Sequence, residues 1–126
     1  DGTVNEYERN LPLYAVTVGE SRPQTTIHRP AGINDYQLLY TESGIGRVRI
    51  KETFYEVKEG DIFILPPFTP HDYSPASGEW NTLWITYNGG ASKNAFPFRA
   101  DIRRCDSFVG FYRKIKNYHR GKKKLR

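Results

Sequence analysis

The chain has 126 residues, enough for one ordinary domain with a real core and too few for two. Net charge is +5, 37% of the residues are hydrophobic, and no apolar run approaches the roughly eighteen residues that cross a membrane as a helix. A single cysteine, Cys105, excludes an intrachain disulfide and fits a reducing compartment, and the first twenty residues are mixed and polar, unlike a secretory signal.

Charge and structure-breaking residues are both unevenly placed. Eight of the 19 Lys and Arg fall in residues 113–126, which contain no acid, so the rest of the chain is mildly acidic. The basic end carries no recognisable DNA-reading motif and reads as a solvated helix end or the start of a linker. Eight Pro and eleven Gly cut the chain into many short apolar runs, a pattern of an all-β sandwich or barrel rather than a helical bundle.

In chain order, residues 1–12 are polar and aperiodic and read as an arm. Short β-like segments follow over Leu13–Val18, Thr25–Arg29, Tyr36–Ser43, Gly46–Ile50, Thr53–Val57, Asp61–Leu65, His71–Ser74 and Glu79–Tyr87. Ser43-Gly44-Ile45-Gly46 reads as a turn, and Lys51-Glu52 as a hairpin connection. Gly46–Ile50 alternates, with Val48 and Ile50 on one side and Arg47 and Arg49 on the other, as in a half-buried strand. Asp61–Leu65 is apolar almost throughout and reads as a strand covered on both faces, and Pro66-Pro67 ends its ladder. Residues 91–105 read as a connecting loop. Beyond it Phe108, Phe111, Tyr112, Ile115 and Tyr118 recur at helical spacing, with Asp106 or Ser107 as N-cap and Gly121 as the end.

The strongest local signal is Gly60-Asp61-Ile62-Phe63-Ile64-Leu65-Pro66-Pro67 followed by His71-Asp72-Tyr73. This resembles the second motif of the cupin superfamily, a double-stranded β-helix (jelly-roll) barrel whose metal-dependent members use the motif's histidine as a ligand. With Ile27–Gly32 before it and Glu79–Tyr87 after it, the order and spacing resemble the N-terminal sensing domain of AraC-type transcription regulators over residues 11–90. The resemblance implies a mainly β fold with a cupin-like barrel over 13–90, followed by a helix and linker start over 106–126.

The first motif of a metal-binding cupin offers two His two residues apart and a later Glu. Here the stretch reads Asn34-Asp35-Tyr36-Gln37-Leu38-Leu39, with no such pair. The chain holds only His28, His71 and His119, too few for an ordinary three-ligand site, so no metal or other cofactor is expected. Nor is catalysis: no nucleophile stands in a catalytic motif, and His71 and Asp72, adjacent in a strand, face opposite sides and form no acid–base dyad. Cys105 follows Arg103 and Arg104 without an accompanying motif and reads as structural.

What remains is a binding pocket. The resemblance implies ligand contacts from Arg29, His71, Tyr73, Thr82 and Trp84, with the face of Thr82 and Trp84 turned inward. Arg29 suits a hydroxyl pair or a carboxylate. Thr82 stands where the arabinose binder of the family has a histidine, which points away from arabinose as the effector. The expected function is sensing of a small ligand, a sugar or sugar acid, by a cytoplasmic bacterial regulator. Phe108, Phe111, Tyr112 and Ile115 are expected in a homodimer or against the barrel. DNA is expected to be reached only through a helix-turn-helix region beyond Arg126, and no membrane is involved. Two alternatives stay open: a metal-dependent cupin enzyme such as an isomerase or dioxygenase, and a ligand-free dimerisation barrel whose mouth is plugged by Trp84, Tyr73 and Phe68.

Overall fold

A computed structural model describes residues 13–96 and 98–101. Seven strands form one antiparallel sheet: β1 (Tyr14–Ser21), β2 (Ile27–Arg29), β3 (Tyr36–Ile50), β4 (Thr53–Lys58), β5 (Asp61–Leu65), β6 (His71–Asn88) and β7 (Arg99–Asp101). Two long strands organise it. The first half of β3 pairs with β5 and with the end of β6, and its second half pairs with β4 and with the start of β6. Strands β1 and β2 pair with the end and the start of β6, respectively. The sheet is thus divided into two layers, β1–β6–β3–β5–β7 and β2–β6–β3–β4, joined by the two strands they share.

Side-chain alternation then sets the packing. Leu39, Phe63 and Leu65 of one layer meet Val48, Ile50, Val57 and Tyr73 of the other around Trp80, in a buried cluster between the layers. The intervening residues, Leu38, Ile62, Ile64, Leu83, Ile85 and Tyr87, form a second buried cluster with Phe96 on the outer side of the first layer. The apolar run of β5 is therefore covered on both faces, as its composition predicts. Burial of these side chains at about 25 cal/mol per Å2 of apolar surface is the main stabilising term.

Three expectations need correction. Ser43–Gly46 is not a turn: β3 runs through it, with register irregularities between Thr41 and Gly46. Gly44 makes this possible. It adopts φ +82°, and a Cβ there would lie 2.1 Å from the Glu79 carbonyl oxygen, so the crossing strand approaches as no other residue would allow. Likewise β6 is continuous from His71 to Asn88 where two strands were expected, because its ladder to β3 persists through Pro75 and Ser77. The segment read as a connecting loop holds a 3-10 turn at Ser92–Asn94 and β7, which pairs with β5. Phe98, just before β7, sets its ring edge on Tyr55 and Phe63 at 5.6 and 4.9 Å between centroids, which holds the segment against the sheet. The arm at 1–12, the helix at 106–126, Cys105 and His119 lie outside the described residues.

Candidate functional site

In β2, Ile27 and Arg29 point between the layers and His28 points outward. Across the ladder, Arg29 pairs with His71 and Ile27 with Tyr73. Gln37, at the start of β3, faces the same space from the other layer. The result is a polar group at the edge of the interlayer core. Arg29 Nη1 donates to Gln37 Oε1 at 2.5 Å and to His71 Nε2 at 3.2 Å. Gln37 Nε2 donates to the Tyr73 hydroxyl oxygen at 3.1 Å. His71 Nδ1 donates to the Thr69 carbonyl at 3.1 Å. The Arg29 guanidinium carbon stands 5.9 Å from the centre of the Tyr73 ring, and His71 stacks on that ring at 6.2 Å.

The bonding fixes the state of His71. A carbonyl can only accept, so Nδ1 carries the proton, and Nε2, facing a guanidinium donor, must be the lone pair. The imidazole is therefore neutral. Burial pushes its pKa below the usual histidine value, Arg29 adds to that, and the Thr69 bond opposes it without reversing it. The exposures divide the group sharply: Gln37, His71 and Tyr73 are 1%, 0% and 3% exposed, while Arg29 is only partly buried. Among the described residues Arg29 has no acidic partner.

On the outer face of the same layer, Asp72 accepts from Arg49 Nε at 2.8 Å and Nη2 at 2.5 Å and sits 3.2 Å from His28 Nδ1. Arg49 bonds hold the Asp72 carboxyl below the usual carboxylate range. His71 and Asp72 do face opposite ways, as strand alternation requires.

Of the five expected ligand contacts, Arg29, His71 and Tyr73 come together. Thr82 is fully buried and donates to Gln24 Oε1 at 2.6 Å. Trp84 packs against the interlayer cluster and donates from Nε1 to Ser21 Oγ at 3.2 Å. Its ring lies so close to Gly19 that a Cβ there would sit 2.1 Å from Cζ2. No hydrogen bond or ring contact joins Thr82 or Trp84 to the Arg29 group among the described residues. Phe68, one of three expected plugs of the mouth, is 71% exposed and plugs nothing. Gln37, which belongs to no recognised motif position, joins the group of Arg29, His71 and Tyr73. Its signal is a buried-period amide in the stretch where metal-binding cupins place ligands. Phe108, Phe111, Tyr112 and Ile115 lie outside the described residues.

The donors suit a metal ion poorly. His28 and His71 lie on opposite faces of one layer, and the free lone pair of His71 already receives an N–H from a cation. No group of three His, Cys, Asp or Glu capable of holding an ion occurs among the described residues.

The family model described as the AraC-like ligand binding domain matches residues 13–117. Solved structures match as well. A Bacillus subtilis oxalate decarboxylase, studied for its Mn(II) centres, aligns at 23% identity and TM-score 0.50, over 61% of this chain and 22% of that one. The plu4264 protein of Photorhabdus luminescens aligns at 23% identity and TM-score 0.49, over 68% and 70% of the two chains. ToxT K231A from Vibrio cholerae aligns at 16% and 0.49, over 64% and 32%. The chain thus spans about a fifth of the decarboxylase and about a third of ToxT. A search of curated protein sequences returns no match. At 23% identity and TM-score 0.50 the likeness to the decarboxylase bears on the fold alone, a cupin-type sheet. No helix among the described residues is long and apolar enough to cross a membrane.

Proposed function

This chain belongs to the AraC-like ligand-binding domain family, and from that premise we propose that it is the effector-sensing domain of a bacterial, cytoplasmic AraC-type regulator. It binds a small molecule, a sugar or sugar acid, in a metal-free site centred on Arg29. The carrying observation is the network in which Gln37, His71 and Tyr73, all buried, hold one partly exposed guanidinium at the edge of the interlayer core. Such an arrangement is preorganised for recognition: few placed polar groups, fixed by one another, at the margin of an apolar interior.

The reading is non-enzymatic. Both ring nitrogens of His71 are engaged, Asp72 is on the far face, and neither is placed to move a proton for a substrate beside Arg29. Ligand favours one arrangement of the domain over another and thereby biases DNA binding by a helix-turn-helix region of the whole regulator. The segment with Phe108, Phe111, Tyr112 and Ile115 supplies the homodimer contact, and residues 1–12 couple ligand to DNA-binding state. Deleting residues 1–10 uncouples ligand from transcription; unchanged induction contradicts that coupling.

Thermal melting against a panel of sugars and sugar acids tests the site. A saturable rise in melting temperature is the expected result, since a ligand that binds only the folded state stabilises it by mass action. No rise with any member of the panel contradicts the sugar-sensor reading.

A further inference from the structure

We infer that the chemical group received at Arg29 is an acceptor-only anion, a carboxylate, rather than a neutral hydroxyl pair. The inference rests on the reading of this network as the effector site and narrows it to one ligand class.

The donors and acceptors of the network divide unevenly. Each acceptor of the network already receives an N–H: Gln37 Oε1 and His71 Nε2 from Arg29, the Tyr73 oxygen from Gln37. The remaining His71 nitrogen is a donor held by Thr69. What is left without a partner among the described residues is donors: Nε and Nη2 of Arg29 and the Tyr73 hydroxyl hydrogen. Of the four residues, Arg29 alone reaches solvent, so its guanidinium is the group a ligand meets first. A sugar hydroxyl arriving there brings its own O–H to a place where His71 Nε2 is already engaged and the second lone pair of Gln37 Oε1 belongs to a side chain only 1% exposed. A carboxylate brings none and accepts two parallel N–H bonds from the guanidinium fork.

Charge points the same way. The nearest acid in the ladder, Asp72, is turned outward and bound to Arg49. The partners of Arg29 among the described residues are neutral, so no acid there compensates its positive charge. One planar cation matches one carboxylate in charge and geometry. Gln37 and His71 act as positioning residues: they fix Nη1 and leave the opposite edge of the guanidinium for the ligand.

The test uses probes that do not require the natural effector. The 126-residue chain, labelled with 15N, is titrated with sodium acetate and, in parallel, with acetamide at constant ionic strength, following the Arg29 Nε–H resonance. Melting is then compared for D-galacturonate and D-galactose. The expected result is a saturable shift of Arg29 Nε–H and of the backbone amides of Arg29 and His71 with acetate, with acetamide at least about tenfold weaker, and loss of the acetate response at the backbone amides of positions 29 and 71 in Arg29→Gln, while the Arg49 resonance does not respond to acetate. Absence of an acetate shift at Arg29, or acetamide acting as strongly as acetate, overturns the inference. Saturation by acetate with no melting shift from either sugar supports the anion site and contradicts the sugar-acid reading. Stabilisation by galactose alone, lost in Arg29→Gln, overturns the anion site and supports a neutral-sugar effector at Arg29.

Discussion

The two faces of the β2–β6–β3 layer handle the same residue types in opposite ways. Outside, Arg49 and His28 converge on Asp72 in a compact charge cluster of partly exposed side chains. Inside, one residue away along β2 and β6, Arg29 and His71 meet Gln37 and Tyr73, with no carboxylate among the described residues bonded to them. The outer cluster is a self-sufficient surface ion pair. The inner one holds a partly desolvated cation whose partners among the described residues are all neutral, which is unfavourable as pure architecture and sensible if a ligand completes it. Function is thus marked by what the network leaves unsatisfied, not by the presence of Arg or His.

The largest effect that sharpens this contrast is in stability. Trp80, fully buried between the layers, is expected to cost about 3–5 kcal/mol on substitution by Ala. Phe54, 63% exposed on the outer face, changes stability by less than about 0.5 kcal/mol on substitution by Ser. Urea unfolding of both variants checks the pair; equal losses would break the division into a packed inner and a solvated outer face.

Next is the pH dependence of His71. Burial lowers its pKa in the folded chain, so below the ordinary histidine value the unfolded chain takes up a proton that the folded one refuses. Stability is then full above about pH 6.5 and is lost as pH falls toward the lower folded value. Unfolding free energies between pH 5 and 8 show this slope in the native chain and a flatter one in His71→Gln. A slope that survives the substitution assigns the effect elsewhere.

The smallest effect belongs to the outer cluster. Asp72→Asn is expected to lose about 0.5–1 kcal/mol at low salt, much of it removed by raising the ionic strength, as for any partly exposed ion pair. A larger, salt-insensitive loss would mean that the outer face is structural after all.

Much of the fold is legible in the residues. Alternation in Gly46–Ile50 and the unbroken apolar run of β5 state which side chains face a core, because strand geometry has a period of two whatever the tertiary setting. The lengths of β3 and β6 are not legible. Gly44 and Gly46 signal a turn locally, and only the crossing of Trp80 and Glu79 beneath them makes a bent, continuous strand the better solution. The residues of the candidate site are only partly legible. Arg29, His71 and Tyr73 lie on inward positions of strands flanked by clear breakers. Gln37 escaped because an amide in an apolar run carries no chemistry until its partners, 8 and 36 residues away, are known. Thr82 and Trp84 do share the inward face expected of them, yet Gln24 and Ser21 take their polar atoms, and neither partner is suggested by any local pattern.

The most direct test of the effector site is the ligand-dependent rise in melting temperature measured side by side in the native chain, Arg29→Gln and Arg49→Gln, with D-galacturonate as ligand. The account predicts a saturable rise in the native chain and in Arg49→Gln, and its loss in Arg29→Gln, equivalent to about 1.5–3 kcal/mol of binding for hydrogen bonds to a charged group. A rise that persists in Arg29→Gln, or that vanishes only in Arg49→Gln, would contradict it.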